Sequence, residues 1–287
     1  MKNYLSLIKF SHTIFAMPFA LVGFFIATTT DSVGFQWQKL LLVVLCMVLA
    51  RSAAMAFNRY LDRDIDAANE RTKVREIPAG VIAPQSALLF VALNCAGFVA
   101  ATYFINWPCF LLSPVALAVV LGYSYTKRYT WFCHVVLGLG LSLAPVGAYL
   151  AVAGHFAWLP IIFGLAVLFW VAGFDVIYAL QDEGFDRSQG LYSMPSFFGK
   201  ARALKISEWM HLGTAVFMIL GVRMLLSAAP QTGWMLWSGT AIFLGLLTYQ
   251  HYLVKPTDLS KVNLAFFTTN GIASLIFGTL TIVDLLT

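Results

Sequence analysis

Nine long apolar segments constrain this chain more than any other feature of its sequence. A transmembrane helix needs about 20 mostly apolar residues, and only 11% of the 287 residues are charged, against about 25% in a typical soluble domain. Helices are predicted over Phe10–Thr29, Leu40–Tyr60, Ala83–Phe104, Pro108–Tyr125, Val135–Val152, Trp158–Leu180, Ala203–Leu226, Trp234–Leu253 and Leu264–Leu285. The sequence therefore predicts an all-α, multi-pass membrane protein in a single domain, residues 1–287.

Lysine and arginine are concentrated in every second connection between these segments. Those before the first segment or after the second, fourth, sixth and eighth are Lys2, Lys9, Arg59, Arg63, Arg71, Lys73, Arg75, Lys127, Arg128, Arg187, Lys200, Arg202, Lys205, Lys255 and Lys261. The positive-inside rule then predicts a cytosolic N-terminus. This distribution explains the net charge of +5 without a nucleic-acid partner. The first segment is too long for a signal peptide and lacks a cleavage site, so we expect a bacterial plasma (inner) membrane.

A polar stripe follows the second apolar segment. Asn58, Asp62 and Asp66 are four residues apart, and Arg51 precedes the asparagine by seven residues. On an α-helix this spacing places all of them on one face, with Asn58, Asp62 and Asp66 about 6 Å apart along the axis and Arg51 about two turns deeper. Because charged groups are costly at a membrane helix, the stripe predicts a functional site rather than a packing feature.

A second polar stripe ends the sixth segment. Asp175, Tyr178, Asp182 and Asp186 are spaced three, four and four residues apart, again on one helical face. Asp175 lies inside the apolar run, where a structural ion pair with Arg51 is an alternative interpretation. Since 120 residues and four segments separate Asp62 from Asp182, we hypothesise two four-helix halves, about residues 1–126 and 127–253, plus a final helix.

Two basic segments accompany the stripes. The loop after Asp66 contains Arg71, Lys73 and Arg75, which suit phosphate oxygens if the loop acts as a lid; an ordinary cytosolic connection is the alternative. The fourth segment ends in YSYTKRYT, residues 123–130, where aromatic and basic residues also occur as plain membrane anchors.

The cysteines and histidines show no metal-binding spacing. Cys46, Cys95, Cys109 and Cys133 form no C-x-x-C motif, and His12, His134, His155, His211 and His251 form no H-x₃-H or H-E-x-x-H motif. We interpret the cysteines as small buried residues and the histidines as packing or interface residues. Residues 10–13, Phe-Ser-His-Thr, are polar enough to line a cavity, although packing explains them equally well.

Two facing carboxylate stripes with nearby basic residues predict a particular chemistry. Carboxylate oxygens suit Mg²⁺, which usually binds a few carboxylates together with substrate phosphates. The apolar surroundings imply an amphiphilic substrate with a phosphate head and a lipid tail. Metal ions would stabilise a departing diphosphate, and aromatic faces would stabilise the allylic cation that remains.

These motifs resemble a known family. The pattern N-x₃-D-x₃-D at Asn58, with arginine seven residues earlier, resembles the UbiA superfamily of intramembrane aromatic prenyltransferases, and Y-x₃-D-x₃-D at Tyr178 resembles its second aspartate motif. The segment Tyr123 to Arg128 is similar to the family's Y-P-x-x-K-R, with Ser124 in place of the proline. The segments KFSHTIFAMPFALVG, REIPAG and WVAGFDVIYALQDEGFD resemble the 4-hydroxybenzoate polyprenyltransferase-like branch.

The resemblance implies nine helices around a central cavity and an activity with Mg²⁺ as cofactor. That activity is transfer of a polyprenyl chain from polyprenyl diphosphate to an aromatic acid, either 4-hydroxybenzoate or 1,4-dihydroxy-6-naphthoate, in ubiquinone or menaquinone biosynthesis. By position, it assigns metal binding to Asp62, Asp66, Asp182 and Asp186, substrate binding to Arg51, Asn58, Lys127 and Arg128, and catalysis to Asp175 and Tyr178. The protein is expected to contact membrane lipid, and no protein partner is expected.

Two other classes remain as alternatives. A transporter would also keep intramembrane Asp and Arg, but carriers place such residues near the bilayer midplane rather than at one edge. A membrane phosphotransferase acting on alcohols would use Asp and Mg²⁺, but the D-G-x-x-A-R pattern expected of it is absent from the sequence.

Overall fold

A computed structural model describes residues 2–8, 15–31 and 33–287. Within these ranges the regular structure is helical, and the one β-type contact is an isolated bridge between Lys255 and Asp258. The helices are α1 Lys2–Leu7, α2 Met17–Thr30, α3 Trp37–Leu61, α4 Arg63–Ala68, α5 Pro84–Ile105, α6 Trp107–Thr126, α7 Cys133–Ala153, α8 Trp158–Ala179, α9 Glu183–Ser188, α10 Met194–Phe198, α11 Lys200–Ala228, α12 Trp234–Leu253 and α13 Asn270–Leu286. A 3₁₀ turn, Leu180–Asp182, joins α8 to α9, and a π-helical turn, Leu264–Thr269, precedes α13. The all-α prediction is confirmed.

Each of the nine predicted segments overlaps a long helix, but the count of nine spans is not established. Within the described residues, seven helical segments are long and apolar enough to cross a membrane. The predicted first segment begins at Phe10, which lies outside the described residues, and its helix α2 begins at Met17. Helix α2 has 14 residues, or about 21 Å of rise, less than the roughly 30 Å of a hydrocarbon core.

Helix α8 lies at the centre of the bundle. It packs along α7 and α11 and also contacts α2 and the π-helical turn. Its Trp170 is fully buried, with aromatic contacts to Phe19, Phe174 and Phe243. The approach of α7 to α8 requires glycine, because a Cβ at Gly138 would overlap the α8 backbone. A rigid α8 therefore leads directly to the second aspartate motif.

The predicted continuous stripes are interrupted at both aspartate motifs. Helix α3 ends before Asp62, whose φ and ψ are −89° and 7°; at Asp182, after the 3₁₀ turn, they are −100° and 4°. Each aspartate directly precedes a six-residue helix, α4 or α9. The carbonyls of Asn58 and Asp62 still accept bonds from the backbone N–H four residues on, so the first stripe keeps its stacked order. This local similarity accords with the two-halves hypothesis, which stays a prediction.

A buried asparagine organises the π-helical turn. The side-chain amide of Asn270 donates to the carbonyls of Ala265 and Phe266 and accepts from Trp170 and Gln250. A π turn opens the normal ladder and leaves carbonyls that need other donors. Asn270 supplies them, and Phe266 is thereby directed against Tyr178, with ring centroids 4.2 Å apart.

Candidate active site

The two aspartate motifs lie at the same end of the bundle, where α3 and α8 terminate. The link between them is direct: Arg71, in the loop after α4, donates from Nε to Asp182 Oδ1 at 3.0 Å and from Nη1 to the hydroxyl of Tyr178 at 3.1 Å. Asn69, from the same loop, lies 3.4 Å from Asp182. The loop therefore bridges the first motif to the second.

Each predicted metal-binding carboxylate faces a basic side chain. Arg75 Nη1 lies 2.7 and 2.9 Å from the two oxygens of Asp66, and Arg128 Nη2 lies 2.9 Å from Asp62. Arg71 binds Asp182 with its Nε and Nη2. Lys127 Nζ lies 2.7 Å from Asp186. In this site each acidic group is therefore paired with a basic group from another part of the chain.

Burial changes the protonation chemistry of this cluster. Desolvation raises the pKa of Asp62, although Arg128 acts in the opposite direction. Burial alone would lower the pKa of Lys127, but attraction by Asp186 outweighs it, and the pKa of Lys127 is raised. Lys127 is therefore a firmly charged ammonium group beside an anion site, whereas Asp62 gains a proton more readily than an exposed aspartate.

Asp186 is the most deeply buried of the four carboxylates, with no exposed surface. Among the described residues, neither of its side-chain oxygens accepts a hydrogen bond of good geometry, although Lys127 is close. A buried carboxylate without such bonds is costly. The ammonium group of Lys127 therefore supplies the charge that balances Asp186.

The remaining predicted residues of the first motif hold the helix break together. Asn58 donates from Nδ2 to Asp62 Oδ2 at 3.0 Å. Arg128, besides its ion pair, donates to the carbonyls of Leu61 and Ser124. It therefore ties the end of α6 to the end of α3. Lys73 is directed elsewhere, because its ammonium group pairs with the exposed Glu70.

Two predicted residues lie deeper, away from the four carboxylates. Arg51 lines a cavity, its Nε is buried without a hydrogen bond, and among the described residues it forms no salt bridge. Asp175 does not pair with Arg51; its Oδ2 lies 2.7 Å from Nδ1 of His134, and 23% of its side chain is exposed. The structural ion pair considered from the sequence is absent.

The cavity passes Arg51 and Tyr123 and extends away from the aspartate motifs. Its volume is about 360 Å³, and on α3 its lining runs from Met55 to Val43, about 18 Å at 1.5 Å per residue. The other lining residues include Phe98, Ile105, Leu112, Val119, Leu137, Leu141, Gly147 and Phe156. An apolar channel of this form, with a cationic head, fits an amphiphilic molecule.

Sequence reasoning missed three contributors to this region. His134 was interpreted as packing, yet it contacts Asp175, and no pattern links residues 41 positions apart. Asn69 and Phe266 contact Asp182 and Tyr178 respectively. The one available signal was an unpaired Asp175 in an apolar run, which required a partner. Cys46, Cys109 and Cys133 are buried, as predicted, whereas Cys95 is only half-buried. His12 lies outside the described residues.

Fold and site together define a multi-pass membrane enzyme with an acidic and basic head region above an apolar channel. The model of the UbiA prenyltransferase family matches residues 16–272. The chain therefore belongs to the UbiA prenyltransferase family, and it is a prenyltransferase. The resemblance carried by the two aspartate motifs is confirmed.

Individual relatives agree with this assignment. A 4-hydroxybenzoate octaprenyltransferase from Aliivibrio fischeri (strain MJ11) is 30% identical over 245 residues, which cover 84% of this chain and 82% of that protein. The apo structure of a UbiA homolog from Aeropyrum pernix K1 matches with a TM-score of 0.84 and 32% identity, over 95% of this chain and 98% of that one.

One more solved structure shares the fold at lower identity. A UbiA homolog from Archaeoglobus fulgidus, bound to GPP and Mg²⁺, matches with a TM-score of 0.74 and 22% identity, over 99% of this chain and all of that one. At this identity the likeness shows the fold alone.

Proposed function

We propose that this protein transfers a polyprenyl chain from polyprenyl diphosphate to an aromatic carboxylic acid, with Mg²⁺ as cofactor. One observation carries the proposal: two aspartate motifs, each bound by basic side chains, lie at the end of the bundle where α3 terminates, and Arg51, about two turns of α3 before Asn58, lines an apolar cavity. A phosphate head and a prenyl tail have the same distribution of charge and apolar surface. The names of the relatives supply the aromatic acceptor as the matching co-substrate.

The residues fit a hard divalent cation. The donor set consists of carboxylate and amide oxygens, and the buried oxygens of Asp186 lack hydrogen bonds of good geometry. Among the described residues, no three His, Cys, Asp or Glu side chains converge closely enough to hold a metal unaided. Mg²⁺ needs no such cluster, because it retains waters and takes oxygens from substrate phosphates. The residues that would hold it are Asn58, Asp62, Asp66, Asp182 and Asp186.

Bound Mg²⁺ supplies Lewis-acid stabilisation of the departing diphosphate. The basic side chains add a second source of stabilisation. Arg71 and Arg75 offer planar, paired donors, whereas Lys127 offers a single point charge. In the structure these groups pair with the carboxylates. When the substrate binds, the phosphate oxygens replace carboxylate oxygens as their partners.

Arg51 and Asp175 suit the acceptor. The Arg51 guanidinium, which forms no salt bridge to a described residue and lines the cavity, suits the carboxylate of an aromatic acid, and the partly exposed Asp175 is the candidate base for the aromatic ring. Both 4-hydroxybenzoate and 1,4-dihydroxy-6-naphthoate carry a carboxylate and an electron-rich phenolic ring. The same residues therefore serve either acceptor.

The reaction breaks two bonds, the allylic C–O bond and one ring C–H bond, and forms two, a C–C bond and an O–H bond on the base. The allylic C–O bond breaks, diphosphate leaves with the electron pair, and a ring carbon of the acceptor forms the new C–C bond. The ring then releases a proton, which Asp175 accepts. The faces of Tyr178 and Phe266 stabilise the allylic cation before it is captured.

The charge distribution supports a location for this site. The basic residues around the aspartate motifs belong to the connections that the positive-inside rule assigns to the cytosol. We place the site at the cytosolic face of a bacterial inner membrane. Polyprenyl diphosphate and a water-soluble aromatic acid both reach that face, and the product is a lipid precursor of ubiquinone or menaquinone.

The test uses the purified protein in lipid nanodiscs with radiolabelled polyprenyl diphosphate. We expect a labelled lipid product with 4-hydroxybenzoate or 1,4-dihydroxy-6-naphthoate only when Mg²⁺ is present. Asp62→Asn and Asp182→Asn should each lower the rate at least about 100-fold, since even outer-shell partners of metal sites are worth 10- to 100-fold.

The matched control is Asp64→Asn. Asp64 lies between Asp62 and Asp66, but 85% of its side chain is exposed, so this variant should retain wild-type activity. Full activity of Asp62→Asn and Asp182→Asn, or product formation in the presence of EDTA, would refute the metal assignment. Activity with only one of the two acids identifies the acceptor.

A further inference from the structure

His134 is the partner that orients Asp175. Asp175 is reached by no other hydrogen-bonding side chain in the described part of the chain. His134 lies near the start of α7 and is 2% exposed. Its Nδ1 lies 2.7 Å from Asp175 Oδ2, on the neighbouring helix α8. The contact therefore joins a fully enclosed imidazole to a carboxylate that is partly open to the site.

The protonation of this imidazole follows from its second contact. The backbone N–H of Met194, the first residue of α10, donates to His134 Nε2 at 3.2 Å. A nitrogen that accepts a hydrogen bond carries no proton, so the proton of the neutral ring is on Nδ1. Nδ1–H then donates to Asp175. The hydrogen bond from the Met194 backbone therefore determines the tautomer of His134.

The backbone donor is itself held in place. Ser193 and Ser196 form a reciprocal capping box at the start of α10, and the N–H of Tyr192 donates to the carbonyl of Lys127. The segment after the second aspartate motif is thus attached both to its own helix and to the end of α6. The direction of the Met194 N–H bond is therefore fixed, and this bond fixes the orientation of the His134 ring.

This arrangement gives the two oxygens of Asp175 different surroundings. Oδ2 accepts from His134, whereas Oδ1 makes no hydrogen bond to a described residue. Arg51 and Tyr123 both line the cavity, and 23% of the Asp175 side chain is exposed. Oδ1 is therefore the oxygen of Asp175 that is left for the acceptor that we propose at Arg51.

We infer that His134 is a positioning residue for the aromatic acceptor: its Nδ1–H binds Asp175 Oδ2 and leaves Oδ1 to face the ring. The inference rests on the proposed function. The proton released by the ring goes to Asp175 Oδ1, and no proton leaves His134. His134 touches neither substrate, so its replacement changes the chemical step more than the binding of polyprenyl diphosphate.

Two amide substitutions separate the two contacts of the imidazole. In His134→Asn the amide nitrogen is the same number of bonds from Cα as Nδ1, so it can still donate to Asp175. In His134→Gln the amide oxygen takes the place of Nε2, so it can still accept from Met194. An orienting role requires the first contact; a purely structural role as an anchor for α10 requires the second.

We expect His134→Asn to stay within about fivefold of wild type in kcat, and His134→Gln to lose about 30-fold, part of the 10²- to 10⁴-fold that a positioned base contributes. The KM for polyprenyl diphosphate should be unchanged in both. Wild-type rates in His134→Gln, or a greater loss in His134→Asn, would overturn the inference. Failure of the wild-type protein to prenylate either acid would instead overturn the proposed function.

A spectroscopic measurement tests the geometry without turnover. Nitrogen-15 NMR of histidine-labelled wild-type protein, with His134→Asn identifying the signal among five histidines, should show a neutral Nδ1–H tautomer. An Nε2–H tautomer or an imidazolium at His134 would contradict the inferred hydrogen bonds. The measurement remains decisive whichever acceptor the enzyme uses.

Discussion

At the scale of single residues, the candidate site is a set of carboxylates already neutralised by basic side chains. The partners differ in kind: Arg71 and Arg75 each make two contacts to one carboxylate, whereas Lys127 makes one. Planar guanidinium groups match both carboxylate and phosphate oxygens. The same guanidinium groups can therefore exchange a carboxylate partner for a phosphate partner without a change in the shape of the site.

Arg71→Lys tests whether paired donors matter beyond charge. Lysine keeps the positive charge but cannot bind Asp182 through two nitrogens and Tyr178 through a third. We expect kcat/KM for polyprenyl diphosphate to fall about 10- to 100-fold, since a hydrogen bond to a charged group is worth roughly 1.5–3 kcal/mol. Steady-state kinetics with varied polyprenyl diphosphate provide the measurement.

The control for that substitution is Arg63→Lys. Arg63 carries the same charge one residue after Asp62, but its ion partner is the exposed Asp64. Exposed ion pairs are worth about 0–1 kcal/mol, so this variant should behave as wild type. Equal effects of the two substitutions would show that only net charge is needed at position 71.

At the scale of elements, the spacing of apolar residues predicts where helices lie better than it predicts where they end. Apolar length places the helices well, because a bilayer forces backbone groups to bond within one segment. The breaks at Asp62 and Asp182 have no apolar signature, and the i, i+4 spacing alone favours an unbroken helix. The partners of Asp175 and of Tyr178 come from distant segments, so only tertiary packing reveals them.

Asn270→Ala tests the π-helical turn as an element. The substitution removes two donors to the carbonyls of Ala265 and Phe266 and leaves the donors of Trp170 and Gln250 unpaired in the core. We expect a loss on the order of 3 kcal/mol, since each buried unpaired group costs roughly 1–3 kcal/mol. Thermal unfolding in detergent should show a melting temperature lowered by several degrees.

Asn94→Ala is the matched control for this measurement. Asn94 is also buried, but it donates only to the carbonyl of Phe90 within its own helix. Its loss should cost about 1 kcal/mol or less. Similar melting temperatures for the two variants would mean that the π turn does not depend on Asn270.

At the scale of the whole molecule, the acidic head suits the diphosphate of the proposed substrate and the apolar channel suits its prenyl tail. The head is built from the ends of α3, α6 and α8, and the cavity from the faces of α3, α5, α6 and α7. Small residues keep the channel open, and Gly147 on α7 is one of them. A Cβ at this position would meet no atom within 4 Å, so larger side chains project into free space.

Gly147→Leu should therefore shorten the prenyl chain that the enzyme accepts. The new side chain occupies part of the channel, so a long chain loses apolar contact while a short one keeps its place near Arg51. We expect kcat/KM for octaprenyl diphosphate to fall about tenfold or more, equivalent to one or two buried CH₂ groups at roughly 0.8 kcal/mol each. The value for geranyl diphosphate should change less than about threefold, because such a chain loses no buried CH₂ group to the new side chain.

Gly245→Leu separates this effect from the general cost of replacing a membrane glycine. Gly245 lies on α12, outside the cavity lining, and a Cβ there also meets no atom within 4 Å. Its substitution should leave the ratio of the two kcat/KM values unchanged. If Gly147→Leu also leaves that ratio unchanged, the tail does not lie between α3 and α7, and the channel must hold something other than the prenyl chain.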